Sequence, residues 1–269
     1  MRARITLLLF AILYSFTCLA QTNFEKHFTK KSLRIDFALS GNWDFQAAAI
    51  QQLREEPVWA GPVKNLIDPF GYGGYYINVY DKAGKELIYS RGFNTLFEEW
   101  RSTEQAKTET QSWTNSISIP YPKAPVIIEI TARDKADMQF HPLLKQEIDP
   151  ASIFIDRGKL KENRITKIRY NGDSSGKVDL VFLAEGYTAD EQEKFVADAK
   201  RFTEALFKTP PYDTRREDFN VWAVDAVSEE SGTDVSGKGI FKNTALNSGY
   251  YTFGVCLLYT SDAADDLTR

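Results

Sequence analysis

The chain has 269 residues, 43% of them hydrophobic, which is enough for one large domain or two ordinary ones. Its formal net charge is −4, and no run of basic residues is longer than two. Nucleic-acid-binding surfaces are strongly basic, so this balance argues against a nucleic acid as the partner.

The first twenty residues are predicted to be a secretory signal peptide. Two arginines precede an apolar segment, 5–16, that is too short to span a bilayer comfortably, and a small-x-small pattern ends at Ala20. We therefore predict cleavage after Ala20 and a secreted, periplasmic or cell-surface protein. Cys18 as the lipidated cysteine of a lipoprotein is the alternative, which Thr17 directly before it and the bulky Phe16 disfavour. No later segment is long and apolar enough to span a membrane.

Residues 21–150 are predicted to form an all-β antiparallel sandwich. Leu33, Ile35 and Phe37 alternate with polar neighbours, as in a strand with one buried face. Further short strands are predicted at 75–80, 86–90, 116–119 and 126–130. A hairpin turn should join the first two of these, with Gly84 in the left-handed conformation. A short helix is predicted within 93–105, and Leu96, Phe97 and Trp100 form its apolar side.

Residues 151–176 are polar, contain several glycines and directly follow Pro150. They are therefore predicted to be an interdomain linker. The segment 172–176 matches the G-x-S-x-G pattern of serine hydrolases. That pattern needs a helix directly after the serine, whereas an apolar strand follows here. We interpret it as a loop.

The sequence of residues 177–254 predicts an incomplete α/β unit, with two strands and the helix between them. The run 178–183 is apolar and typical of a strand buried on both faces, and 219–224 is a second such run. Between them, Thr188 and Glu191 fit the capping box that starts a helix. Four apolar residues at helical spacing follow, and prolines end the helix. These four are Phe195, Ala199, Phe202 and Leu206.

Five polar residues follow the two predicted strands and are candidates for lining a cleft. Glu185 and Tyr187 come after the first strand, and Ser231, Thr233 and Asp234 come after the second. Ligands of α/β sheets bind at the carboxyl ends of the strands, which favours this reading. In the alternative reading, Glu185 accepts hydrogen bonds from turn N–H groups near a helix start, and the later three residues lie on an ordinary surface loop.

Six blocks of the sequence carry a family resemblance. They are K-S-L-R-I-D-F at 31–37, E-P-V-W-A-G at 56–61, Y-S-R-G-F-N-T-L-F-E-E-W at 89–100, V-D-L-V-F-L-A-E-G-Y-T-A-D-E-Q-E-K-F at 178–195, D-F-N-V-W-A-V at 218–224 and E-S-G-T-D at 230–234. The chain resembles the bacterial IgA peptidase family of zinc metallopeptidases. The resemblance covers the family's amino-terminal domain and the start of its catalytic domain. It implies protein or peptide substrates, and zinc held by an H-E-x-x-H helix in the full-length protein.

The H-E-x-x-H motif is missing from residues 1–269, whose two histidines are His27 and His141. We therefore expect no catalytic residue, no metal ligand and no cofactor within this chain. We interpret the chain as a fragment, inactive as it stands, whose genuine sequence ends at Gly254. The last residues, 255–269, are predicted to be a non-native tail, with an ordinary strand and polar tail as the alternative.

Two functions remain open on the sequence. The first is the amino-terminal part of a secreted zinc endopeptidase. The second is a non-catalytic β-sandwich that binds a peptide, a glycan or a partner domain. The many aromatic residues between 68 and 100 suit either a sandwich core or a binding face.

Overall fold

The computed structural model describes residues 22–159 and 163–250, and the backbone of 258–259. The predicted signal peptide, Cys18 and most of the segment 255–269 lie outside the described residues. Among the described residues, none of the helices has the length and apolar character needed to cross a membrane.

Two four-stranded sheets make up the amino-terminal part, after a short helix α1 (Phe24–His27). The first sheet has the order β5-β1-β2-β8 and consists of β1 (Phe28–Gly41), β2 (Gln46–Glu56), β5 (Gln111–Pro122) and β8 (Ile155–Asp156). The second has the order β4-β3-β6-β7 and consists of β3 (Tyr75–Asp81), β4 (Leu87–Phe93), β6 (Val126–Arg133) and β7 (Phe140–Ile148). Neighbouring strands are antiparallel except β2 and β8, which are parallel.

The two sheets bury one common core, which confirms the predicted β-sandwich. Leu33, Ile35 and Phe37 of β1 are fully buried, as their alternation predicts. They share this core with residues of the other sheet such as Ile77 and Ile130. The predicted short helix is α2 (Leu96–Trp100), which begins at an N-cap where the Thr95 hydroxyl accepts from the Glu98 N–H and which buries Phe97 and Trp100.

The polar face of β1 is also buried, which simple alternation does not predict. Arg34 and Asp36 lie on this face and form an ion pair of 3.0 Å. The Asp36 carboxylate also accepts a 2.5 Å hydrogen bond from the Ser116 hydroxyl of β5, and Arg34 reaches Glu56 of β2. Strands on both sides therefore cover the polar groups of β1 and satisfy them, as buried charges require.

The predicted turn between β3 and β4 has a different left-handed residue. Lys85 has a φ of 55°, whereas the prediction placed Gly84 there. The Asp81 carboxylate accepts from the Gly84 N–H at 2.7 Å, and the Asp81 carbonyl accepts from the Lys85 N–H. This side-chain contact fixes Gly84 in the turn and moves the left-handed position one residue later.

The second part of the chain contains a β–α–β unit. Its sheet has the order β10-β11-β9, with β9 (Ile165–Arg169) antiparallel and β10 (Val178–Leu183) parallel to β11 (Phe219–Val224). Helix α3 (Gln192–Leu206) connects β10 to β11. The predicted capping box is present: Thr188 and Glu191 bond reciprocally around a 3-10 turn that leads into α3.

Two details of this unit correct the sequence prediction. The buried side of α3 includes Phe195, Ala199 and Thr203, whereas Phe202 is 51% exposed and lies beneath the Arg201 guanidinium. Strand β10 lies at the edge of the three described strands and is not buried on both faces. Its residues Val178, Val181 and Leu183 are exposed.

The predicted linker, 151–176, contains two short strands. Strand β8 pairs with β2 of the sandwich, and β9 pairs with β11 of the second sheet. Sheet membership therefore changes between Asp156 and Ile165, inside the segment that the sequence sets apart. The segment 172–176 is a loop with a 3-10 turn, and β10 follows it, as expected.

Limited proteolysis should leave a resistant sandwich fragment. The two four-stranded sheets cover each other, whereas the β10-β11-β9 sheet has exposed apolar residues and a small core. We expect mass spectrometry to find a fragment that begins near residue 24 and ends between Asp156 and Ile165. A resistant piece made of the carboxyl-terminal half would show that this division is wrong.

Candidate functional site

The loops that follow β10 and β11 meet at the carboxyl edge of the sheet. The Gly232 N–H donates to the Gly186 carbonyl at 2.9 Å, and the Ser228 N–H donates to the Tyr187 carbonyl at 2.9 Å. Gly186 has a φ of 73°, and a Cβ at this position would lie 2.1 Å from the Gly232 carbonyl oxygen. Glycine is therefore required at 186 by both its backbone conformation and the close approach of the second loop.

The Glu185 carboxylate gathers four donors from the far end of the second loop. Its Oε1 accepts from the Thr244 hydroxyl at 2.5 Å and from the Ser248 hydroxyl and N–H at 2.7 and 2.9 Å. Its Oε2 accepts from the Leu246 N–H at 2.8 Å. Thr244, Leu246 and Ser248 are all buried, and Ser248 is 0% exposed. One carboxylate thus satisfies four polar groups that have little access to water.

The charge of Glu185 is stabilised by these contacts. Burial raises the pKa of the Glu185 carboxyl, but the hydrogen bonds from Thr244, Ser248 and Leu246 outweigh it and hold the pKa below its ordinary value. The geometry matches the alternative reading of Glu185 as an acceptor, with one difference. The donors come from 244–248 rather than from the turn next to the helix.

Tyr187 is turned toward helix α3. Its hydroxyl donates to Asp198 at 3.0 Å, and its ring lies 5.3 Å from the ring of Phe195. Asp198 also pairs with Arg201 and Lys194, each at 3.0 Å. Hydrogen bonds from Arg201, Lys194 and Tyr187 lower the pKa of Asp198 to about 2. Tyr187 therefore ties the first loop to the helix.

Of the other three candidates, Ser231 joins the second loop to the start of the helix, and Thr233 and Asp234 form bonds within the second loop. The Ser231 hydroxyl donates to the Glu191 carboxylate of the capping box at 3.0 Å. The Thr233 hydroxyl donates to the Ser248 carbonyl at 2.6 Å, and the Asp234 carboxylate accepts from the Lys242 N–H at 2.6 Å. A small sheet continues this region: β12 (Asp234–Val235), β13 (Gly249–Tyr250) and β14 (Leu258–Tyr259).

Two parts of the chain match models of one peptidase family. Residues 23–143 match "Peptidase M64 N-terminus", and residues 166–266 match "IgA Peptidase M64". The chain belongs to the IgA peptidase M64 family. The boundary between the matches falls where sheet membership changes, and the second match extends into the segment 255–269. No curated protein matches the chain.

The residues of this M64 chain do not fit a zinc site of the H-E-x-x-H type. His27 ends helix α1, and His141 lies in β7, where its ring nitrogen contacts Asp137 at 2.8 Å. Within the described residues, no group of three or more His, Cys, Asp or Glu side chains is arranged to hold a metal ion. The expectation that the zinc ligands lie outside residues 1–269 therefore stays a prediction.

Sequence reasoning missed the residues that Glu185 and its neighbouring turn hold in place. Ser228 accepts from the Gly186 and Ala245 N–H groups, both at 3.0 Å, and is buried. Thr244 and Ser248 are likewise buried polar residues. The sequence around them has no strand or helix periodicity, so it gives no signal of their burial, which depends on contacts with 185–187 and within the second loop.

Proposed function

We propose that this chain supplies the amino-terminal sandwich and the beginning of the catalytic domain of a secreted zinc endopeptidase. The observation that carries the proposal is the "IgA Peptidase M64" match over the β–α–β unit and its loops. The substrates would be proteins or peptides. The signal peptide would be removed after Ala20, and 177–254 would belong to the catalytic domain.

The ordered carboxyl edge of the β10-β11-β9 sheet supports this role. A cleft at the edge of an α/β sheet needs loops with fixed positions, because substrate groups must be held accurately. Glu185 supplies the fixed point, since its carboxylate accepts hydrogen bonds from 244–248. Tyr187, Ser231, Thr233 and Asp234 would border the cleft, and their bonds to the helix and to the second loop would set its shape.

Zinc would come with residues outside this chain. A zinc peptidase of this type uses two histidines one helical turn apart, and residues 1–269 contain no such pair. The role of the present residues is therefore to build and support the substrate cleft. No step of peptide hydrolysis is assigned to any of them.

The full chain should hydrolyse no protein and hold no stoichiometric zinc. The reason is the lack of a histidine pair at H-E-x-x-H spacing. Elemental analysis after dialysis, together with a casein cleavage assay, measures both properties. One tightly bound zinc per chain, or zinc-dependent cleavage, would contradict the proposed absence of catalytic residues.

A further inference from the structure

A pocket of about 480 Å³ opens at one end of the sandwich, well away in sequence from the loops of the β10-β11-β9 sheet. It lies between the β1–β2 turn, the end of α2 and the turn between β6 and β7. Its lining includes the cationic residues Arg101 and Lys135, the acidic residues Asp44 and Asp134, and the apolar residues Phe45 and Leu143. None of them has a part in the proposed peptidase function, so the pocket needs a separate explanation.

The indole ring of Trp43 is flanked by two ammonium groups. The Lys135 Nζ lies 4.7 Å from the ring centroid, and the Lys107 Nζ lies 5.1 Å from it. The two like charges are therefore no more than about 10 Å apart, which is about one Debye length at 0.1 M salt. Lys107 pairs with Glu104, but Lys135 forms no ion pair with any described residue. An anion placed here would relieve the repulsion between them.

Arg101 adds a buried positive charge to the same pocket. It is 8% exposed, and its guanidinium donates to the carbonyls of Asn42 at 2.7 Å and Trp43 at 3.2 Å. These acceptors orient the guanidinium but are neutral, and Arg101 forms no ion pair within the described chain. Burial raises the pKa of the nearby Glu98, and the positive charges of Arg101 and Lys135 oppose this shift, although Glu98 forms no ion pair with either residue. The pocket therefore contains a buried guanidinium and an exposed ammonium that form no ion pair with a described residue, beside the carboxylates of Asp44 and Asp134.

Part of the pocket lining is apolar. Phe45 is 52% exposed, and Ala132 and Leu143 line the same pocket. An exposed aromatic ring next to aliphatic side chains suits an apolar side chain better than the hydroxyls of a sugar. Asp44 also lines the pocket, and its carboxylate accepts no hydrogen bond from a described residue. It is available to accept from a peptide N–H.

We propose that this pocket binds the free carboxyl terminus of a peptide whose last residue is apolar. The carboxylate contacts Lys135 and Arg101, the last side chain packs on Phe45 and Leu143, and Asp44 accepts from the backbone. This proposal does not rest on the peptidase assignment, since every residue involved belongs to the sandwich. It gives the amino-terminal part a binding function of its own.

Calorimetric titration of the full chain with two matched peptides tests the proposal. The probe is an acetylated tripeptide of two alanines and a final leucine with a free carboxylate, and its match is the same peptide as the carboxamide. We expect the amide to bind at least about tenfold more weakly, because charge-assisted hydrogen bonds contribute about twice as much as neutral ones. Equal binding of the two peptides, or no binding of the acid at millimolar concentration, would overturn the proposal.

Two variants locate the binding. Lys135→Gln should weaken binding of the acid by about threefold to tenfold and leave binding of the amide unchanged. Lys200→Gln, an exposed lysine of α3, is the matched control and should change neither affinity. Glucuronate should not compete with the peptide. Competition by glucuronate, or an unchanged affinity in Lys135→Gln, would show that the pocket does not select a peptide carboxylate.

Discussion

Glu185→Ala should destabilise the second part of the chain by about 2–4 kcal/mol, because it leaves buried donors without an acceptor. Four donors bond to the Glu185 carboxylate, and those of Ser248 are fully buried. The loop that carries them should detach from β10. Hydrogen–deuterium exchange is the measurement, and peptides covering 240–250 should exchange much faster in the variant.

The control for Glu185→Ala is Glu204→Ala, which removes an exposed carboxylate of α3. It should leave exchange in 240–250 as it is, because substitutions of exposed surface residues change stability by about 0.5 kcal/mol or less. Unchanged exchange in Glu185→Ala itself would mean that the four hydrogen bonds do not hold the loop.

The same contacts predict a dependence on pH. The pKa of Glu185 is lowered in the folded protein from an ordinary value of 4.5. A group of this kind contributes stability above its unfolded pKa, and the contribution disappears as the pH falls through the folded pKa. Protection of 240–250 should therefore decrease below about pH 4.5 in the unaltered chain. Glu185→Gln should reduce this dependence, because the amide does not titrate.

The fold was predictable where local patterns and burial agree. The strand at 178–183, the capping box at Thr188 and Glu191, and the strand at 219–224 are all found at the predicted positions. The capping box joins a hydroxyl and an N–H three residues apart, and each strand is a continuous, mostly apolar run, so each is marked by residues that are near in sequence. Such local features leave a signature in the sequence itself.

The candidate site was less predictable because its contacts join residues that are distant in sequence. Glu185 was singled out for its place after a strand, but its donors lie about sixty residues later, at 244–248. The exposure of Phe202 has the same origin, since it depends on which side of α3 the short sheet covers. The burial of Arg34 and Asp36 depends on residues from two neighbouring strands.

Phe37→Ala should destabilise the sandwich by about 3–5 kcal/mol, the usual cost of removing a fully buried phenylalanine. Phe37 is 0% exposed in the central strand β1, and its ring contacts that of Phe93 in an edge-to-face arrangement with centroids 6.0 Å apart. Since β1 pairs with strands on both sides and Phe93 belongs to the opposite sheet, the vacated space lies between the two sheets. Neither sheet can move to fill this space without shifting the pairing of its strands.

The matched control for Phe37→Ala is Phe154→Ala, because Phe154 is 84% exposed and the chemical change is identical. Thermal unfolding followed by circular dichroism should show a melting temperature lower by at least about 10 °C for Phe37→Ala, and little change for Phe154→Ala. Equal melting temperatures for the two variants would contradict a shared core between the sheets. The comparison separates burial from the loss of the ring itself, since only Phe37 makes its contacts inside the sandwich.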